Sequence, residues 1–351
     1  MRGCTTPPGS LKARLCREGM EAVKRFADER GIPYELCGKL VVALDESELA
    51  PLAELKRRGL ANGLRGLADV EADRIRELEP HATGIRGLHV PETGIVDFRR
   101  VALAYADEVQ ARGGDILLGS RVVGLDRRDG GRRLALERGE PTHAEHVVAC
   151  AGLHSDRVAA LTGSAPPAYR IVPFRGDYYT LAPEARSLVT GLIYPVPNPS
   201  FPFLGVHFTR RIDGAVWAGP NAVPAFAREG YSRWSLSMRD LGATIGFPGF
   251  RRLARQYART GAAEMWRDYV KWAFVRELRR YLPKIRSRHL SFGPSGIRAQ
   301  CMSADGELVE DFLVEEADGV LHVLNAPSPG TTASLAIGRM LAEKASAAFG
   351  L

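Results

Sequence analysis

Residues 322–338 read HVLNAPSPGTTASLAIG. A short apolar strand over 321–324 runs into a tight turn of Pro327, Ser328, Pro329 and Gly330, and a helix is expected to open at Thr331 or Thr332. The first turn of a helix has no intrahelical acceptors for its N–H groups, so strand, glycine turn and helix start together aim unpaired donors at an electron-rich ligand. Gly330 has no Cβ, and a flat ligand can lie against the backbone there. Thr332, Ala333 and Ser334 keep the adjoining helix face small. In isolation the same pattern also describes a plain helix cap with a proline-rich approach.

The rest of the chain surrounds this stretch with α/β layers. A helix is expected over 11–30, where Leu11, Leu15, Val23 and Phe26 fall at helical spacing and Gly31 stops it. A β-rich run, KLVVAL, follows at 39–44, then a helix over 46–58. Segments 88–90 and 94–96 bracket a turn, and Asp97 can cap a helix that runs to Arg112. Strands are expected at 116–118 and 121–126, with a hairpin turn at Asp129, Gly130 and Gly131. A buried-type strand at 146–150 enters Ala151-Gly152 and a helix over 155–161. The middle alternates strands (178–181, 191–196, 203–209, 215–218) with proline and glycine turns, as an antiparallel sheet does. Residues 227–290 read as helical and basic, and a last helix occupies 332–349.

Bulk properties narrow the class. The 351 residues suffice for one large α/β domain or two ordinary ones, and 45% hydrophobic with 25% charged is ordinary for a globular chain. No apolar run approaches the ~20 residues of a membrane-spanning helix. The start, MRGCTTPPGS, has no apolar core of a secretory signal. Cys4, Cys16, Cys37, Cys150 and Cys301 are scattered, which argues against a zinc site or a disulfide framework and for a reducing compartment. Net charge is +7, but 251–290 holds twelve Arg/Lys against three Asp/Glu, so that block alone is +9 and the remainder −2. Such a block suits an acidic partner, an anionic lipid surface or a charged substrate. The plainer alternative is the solvated face of amphipathic helices, and no nucleic-acid motif accompanies it.

Four further segments carry chemistry. In 146–158, HVVACAGLHSDRV, a strand ending in Ala151 and Gly152 offers close approach to a ligand or simply a strand-to-helix turn. In 170–179, RIVPFRGDYY, Arg175 can clamp a carboxylate with its planar guanidinium or pair internally with Asp177. Arg298, in GPSGIRAQ at 293–300, is a second carboxylate clamp. Tyr178 and Tyr194 are candidate hydroxyl donors, and His207, between Val206 and Phe208, is a candidate general base or a satisfied structural histidine. No GxGxxG follows a strand, so motif alone does not make this a dinucleotide-binding chain.

Taken together, PGSLKARLC (8–16), GKLVVA (38–43), TGIVDF (93–98), AGLHSDRVA (151–159), IVPFRGDYY (171–179), LIYPVPNP (192–199), FPFLGVHFTR (201–210), GPNAV (219–223), GIRAQ (296–300) and NAPSPGTTASLAIG (325–338) resemble the FAD-dependent L-2-hydroxyglutarate oxidases and dehydrogenases, within the D-amino-acid-oxidase-like flavoproteins. They occur in order over nearly the whole chain. The resemblance implies an α/β (α+β) two-lobed flavoprotein, with an incomplete Rossmann-like FAD-binding layer and a mixed, largely antiparallel substrate-domain sheet. The FAD lobe would take 1–35, 88–165 and 293–351, and the substrate lobe 36–87 and 166–292 with the basic helical segment 227–290. Ser328, Pro329, Gly330, Thr331 and Thr332 would sit by the flavin ring, Ala151 and Gly152 by the adenosine–ribose side, and Val123 on the adenine-side strand. The implied reaction is oxidation of L-2-hydroxyglutarate to 2-oxoglutarate by hydride transfer to flavin. Arg298 and Arg175 would grip the two carboxylates, and His207 would take the hydroxyl proton. Electrons would pass to oxygen or a membrane quinone. The partners are a small dicarboxylate and no nucleic acid, no metal is implied, and the location is cytoplasmic with optional peripheral contact at the inner face of the cytoplasmic membrane through 251–290. An amine or amino-acid oxidase on the same fold, needing a single carboxylate clamp, is the alternative, as is a non-catalytic fragment.

The front of the chain departs from this family. Members begin with a strand–GxGxxG–helix unit and an acidic ribose-binding residue, roughly fifty residues in all. Where they read like His-Ala-Gly-Val-Tyr-Tyr-Pro before PGS, this chain has Met-Arg-Gly-Cys-Thr-Thr-Pro. The codons CAT GCG GGG GTG TAC TAC CCC, read one base later, spell that second peptide, so residues 1–7 are expected to be an out-of-frame reading. A chain without that unit lacks a central parallel strand and the histidine of that segment, and is expected to bind FAD weakly or not at all and to aggregate.

Overall fold

The computed structural model describes residues 4–128, 130–162, 169–197 and 205–351. Its largest element is a nine-stranded sheet. Along the main path the order is Val223–Pro224, Tyr169–Leu181, Val216–Gly219, His207–Arg210, Leu192–Pro195, Lys39–Ala43, Arg86–Val90 and Ala68–Glu71, with Leu290–Ser303 also paired to Tyr169–Leu181. All pairings are antiparallel except Leu192–Pro195 with Lys39–Ala43. KLVVA carries two adjacent β-branched valines and is wholly buried, because both faces of the sheet are covered there. Leu40 and Val42 pack with Tyr179, Phe208, Phe274 and Leu278 on one side. Val41 and Ala43 pack with Leu52, Leu55 and Leu88 on the other.

A smaller sheet carries the opening stretch. Val320–Asn325 runs antiparallel to Leu313–Ala317 and parallel to Val147–Ala149. Helices Leu11–Arg30 and Ser334–Phe349 cover it through Leu15, Leu321, Val323, Ile337 and Leu341. The helix Leu11–Arg30 has the bounds its periodicity predicts: Ser10 caps it, and Gly31 closes it in the left-handed conformation with φ 59°. Gly19 is required within it, since a Cβ there would lie 2.5 Å from Ala333 Cα and 2.7 Å from the Thr332 carbonyl. That close approach seats the helix against the turn. A third sheet, Val122–Arg128, Gly131–Leu136 and Thr142–Ala144, is tied to the second by Arg132 and Asp318 at 2.7 Å.

Several expectations change in detail. Residues 116–118 form no strand: Leu117 and Leu118 are exposed, and a strand needs a neighbour that none of the described residues supplies. The strand expected at 178–181 is the end of one that begins at Tyr169 and includes Arg175. The helix over 46–58 divides into a 3-10 turn, Glu46–Glu48, and a helix, Leu49–Ala61. The last helix starts at Ser334 rather than at Thr331 or Thr332, with no side-chain cap. Two of the expected lobe boundaries fall inside strands, 88 within Arg86–Val90 and 293 within Leu290–Ser303. Asp129 and residues 198–204, which include the start of the strand expected at 203–209, lie outside the described residues.

Candidate active site

The long antiparallel pair Tyr169–Leu181 and Leu290–Ser303 decides which arginine can meet a ligand. Phe174 lies opposite Arg298, and Arg175 lies opposite Ile297. Side chains directly opposite share a face and successive ones alternate, so Arg175 and Arg298 leave the sheet on opposite sides. The expectation that they clamp one substrate together is therefore corrected. Arg175 is 1% exposed and spends its guanidinium on two acids, with Nε 3.0 Å from Asp177 Oδ2 and Nη2 2.7 Å from Asp268 Oδ2. Asn221 Nδ2 donates to Asp268 Oδ1 at 2.6 Å, and Arg233 Nη2 lies 3.6 Å from Asp177. Two arginines and two carboxylates thus form a closed internal cluster.

The other face opens on a cavity of about 280 Å³. Tyr178, Tyr194, His207, Arg298 and Ser328 line it, as do Lys39, Pro220, Cys4 and Thr5. The His207 ring stacks on Tyr194 with centroids 3.9 Å apart and planes 20° from parallel. His207 Nδ1 is 3.0 Å from the Gly205 carbonyl. A carbonyl only accepts, so Nδ1 carries the proton and the lone pair of the neutral ring sits on Nε2. Lys39 Nζ lies 5.4 Å from the Tyr194 ring centroid. The cavity therefore gathers two cations, two phenols and an imidazole with one defined tautomer.

The turn beside the cavity is fixed at both ends. Asn325 Nδ2 donates to the carbonyls of Val309 and Asp311 at 3.0 and 2.8 Å. Ser334 Oγ lies 3.0 Å from the Tyr105 hydroxyl. Between them the backbone N–H groups of Gly330, Thr331 and Thr332 take no acceptor among the described residues, whereas those of Ala333 and Ser334 bond back to Pro329 and Thr331. A second, largely apolar cavity of about 260 Å³ reaches Thr332 and Tyr194 from Met20, Val23, Ile95 and Phe98.

Ala151 and Gly152 lie where the parallel strand Val147–Ala149 ends, and Ser155 Oγ donates to the Leu324 carbonyl at 2.9 Å. The carboxyl ends of the two parallel strands therefore meet, the usual ligand edge of such a sheet. Val123 stands apart, half exposed on the third sheet. Lys39 is the lining residue that sequence reasoning missed. Its signal was a cation one pleat from Val41 at the head of an apolar strand, on the face that also carries Leu55.

With this geometry in hand, the chain was compared with known proteins. A family model described as FAD dependent oxidoreductase (DAO) matches residues 1–344. The mitochondrial L-2-hydroxyglutarate dehydrogenase of Nematostella vectensis is 45% identical, over 98% of this chain and 79% of its own. The L-2-hydroxyglutarate dehydrogenase of Indibacter alkaliphilus is 43% identical, over 96% of this chain and 84% of its own. Among solved structures, the FAD-bound L-alpha-glycerophosphate oxidase of Mycoplasma pneumoniae is similar in fold with a TM-score of 0.76 at 19% identity, covering 100% of this chain and 83% of that one. The glycine oxidase of Geobacillus kaustophilus gives a TM-score of 0.66 at 16% identity, covering 96% and 80%. The chain belongs to the family of FAD-dependent oxidoreductases to which D-amino-acid-oxidase-like flavoproteins belong.

Proposed function

We propose that this oxidoreductase converts L-2-hydroxyglutarate to 2-oxoglutarate in the cavity of Lys39, His207 and Arg298, using FAD. The observation that carries the reading is the convergence of two cationic side chains, from strands far apart in sequence, on one cavity with a histidine. A dicarboxylate needs two cations; an amino acid such as glycine needs one. Arg298, whose planar guanidinium suits bidentate pairing, takes the carboxylate next to the hydroxyl, and Lys39 takes the distal one. Tyr178 and Tyr194 hold the hydroxyl in place. His207 Nε2 removes the hydroxyl proton, since its other nitrogen is committed to Gly205.

At the ring end the residues present fit FAD, while the sequence holds no GxGxxG after a strand to seat its pyrophosphate. The N–H groups of Gly330, Thr331 and Thr332 take no acceptor among the described residues, in a turn of small residues that an apolar cavity reaches. Bound there, FAD supplies the two-electron acceptor for the C2 hydride. Ser328 and Pro329 would shape the approach to the ring, the N–H groups would favour negative charge there, and Ala151 and Gly152 would hold the adenosine end. The acceptor that would take the electrons onward is oxygen or a membrane quinone. Among the described residues no helix is long and apolar enough to cross a membrane, and we place the protein in the cytoplasm, touching the inner face of the cytoplasmic membrane peripherally.

Turnover of the FAD-loaded protein on L-2-hydroxyglutarate, L-2-hydroxybutyrate and glycine tests this. The dicarboxylate is expected to be the best substrate. Lys39→Met is expected to lower its kcat/KM by roughly ten- to a hundredfold, the worth of a hydrogen bond to a charged group, while leaving L-2-hydroxybutyrate nearly unchanged. Turnover of glycine without turnover of either hydroxy acid would show an amine oxidase instead.

A further inference from the structure

Among the described residues, exposed large apolar side chains that the site does not use gather around Trp234 and the helices that follow it. Trp234 is 79% exposed and Met238 73%, and Leu236 between them is exposed as well. On the helix Ala258–Tyr269, Trp266 and Tyr269 point outward, and on the helix Lys271–Tyr281 so does Trp272. Ring contacts join them: Trp234 lies 5.9 Å from Tyr269, and Trp266 meets Trp272 edge-on at 6.5 Å. Trp266 and Tyr269 are one helical turn apart, so the four rings form a continuous strip across a loop and two helices. Scattered exposed apolar residues are ordinary, but a joined aromatic strip marks a contact surface.

Positive charge without an ion pair lies beside Trp272 on its own helix and, in sequence, on the segments that flank the strip. Trp272, Arg276 and Arg279 share one stripe of their helix, opposite the buried Phe274, Leu278 and Tyr281. Among the described residues Arg239, Arg251, Arg255, Arg276, Arg279 and Lys284 have no ion-pair partner, and each is exposed. The nearby acids, Glu264 and Glu277, are already paired with Arg267 and Arg280. A second copy of the chain seated on this face would set cation against cation. An anionic surface would neutralise the arginines and accept the rings at the headgroup level, where Trp and Tyr are favoured.

We infer that the loop bearing Trp234 and Leu236, with Met238 at the head of the helix Met238–Gly246 and the outward stripes of helices Ala258–Tyr269 and Lys271–Tyr281, is a docking face for an anionic lipid bilayer. It deepens the peripheral location proposed above by naming the residues that make the contact, and it rests on that location, not on the substrate. The rings insert at the interface and the arginines hold the headgroups. The two contributions are separable, because salt weakens the second and leaves the first.

The test uses the full chain with phosphatidylcholine vesicles, with and without phosphatidylglycerol, read by cosedimentation and tryptophan emission. Binding is expected only with phosphatidylglycerol, together with a blue shift. Trp234→Ala with Trp272→Ala should abolish the blue shift and most of the binding. Arg276→Gln with Arg279→Gln should weaken binding by about fivefold per charge removed and reduce its salt dependence, keeping the emission shift of the fraction bound. Circular dichroism and solution turnover with a soluble dye establish that each variant is folded; loss of turnover there bears on the substrate reading alone. Equal binding by all variants, no binding to the anionic vesicles, or a tryptophan-dependent dimer in sedimentation velocity would overturn the docking face.

Discussion

The two faces of the strand pair Tyr169–Leu181 and Leu290–Ser303 each carry an arginine, and the two arginines do opposite things. On one face Arg175 meets Asp177 and Asp268, and Arg233 closes the cluster. On the other, Arg298 and Tyr178 open on a cavity with His207 and Lys39. An arginine surrounded by its own acids is structural, because its charge and donors are consumed and its removal strands the acids. An arginine lining a cavity keeps a geometry that a ligand carboxylate can complete. Chemistry alone does not separate the two; the pleat does, and one residue of register moves a guanidinium from substrate to core.

The comparison breaks if the two arginines respond alike to substitution. The largest effect is expected from Arg175→Met: leaving Asp177 and Asp268 buried without their cation should cost about 3–5 kcal/mol of stability, measured by urea unfolding. Arg298→Leu should leave the unfolding midpoint near that of the parent and instead lower kcat/KM for L-2-hydroxyglutarate by about 10²–10³-fold, ~3–4 kcal/mol. A stable, inactive Arg175→Met protein, or an unfolded Arg298→Leu protein, would reverse the assignment.

Much of this was legible before any coordinates, for reasons local to the chain. The strand, turn and helix of 322–338 announce themselves because proline, glycine and periodicity act on neighbouring residues. Helix Leu11–Arg30 carries its own cap and its own stop. Arg298, Tyr178, Tyr194, His207 and Ser328 do converge on one cavity. What escaped was long-range. The Arg175 partner Asp268 is 93 residues away, on a helix whose packing no period reveals. Lys39 looked like the polar edge of an apolar strand, and its role depends on a cavity wall supplied by residues 178–298. The run at 116–118 is apolar enough for a strand, but strands are made by neighbours, and the described residues give it none.

A subtler measurement sharpens the contrast through pH. Burial first, and then the facing Asp177 carboxylate, push Asp268 up to about 6. Asp177 is desolvated too, but hydrogen bonds from Asp268 and Ser295 and the Arg175 charge hold it below the usual carboxylate range. A raised carboxyl group means the native state keeps a proton that the unfolded chain has released. The stability Asp268 contributes is therefore complete below its unfolded value and is lost as pH rises through about 6. Asp177 acts in the opposite sense, contributing above the ordinary range and losing that contribution only in stronger acid. Urea midpoints at about pH 5 and about pH 7 should fall with rising pH in the parent and in Arg298→Leu alike. Asp268→Asn, which cannot ionise, should flatten that fall. If the slope survived in Asp268→Asn, the closed cluster would not be the source of the pH dependence, and the face of Arg175 would have to share titration with the cavity.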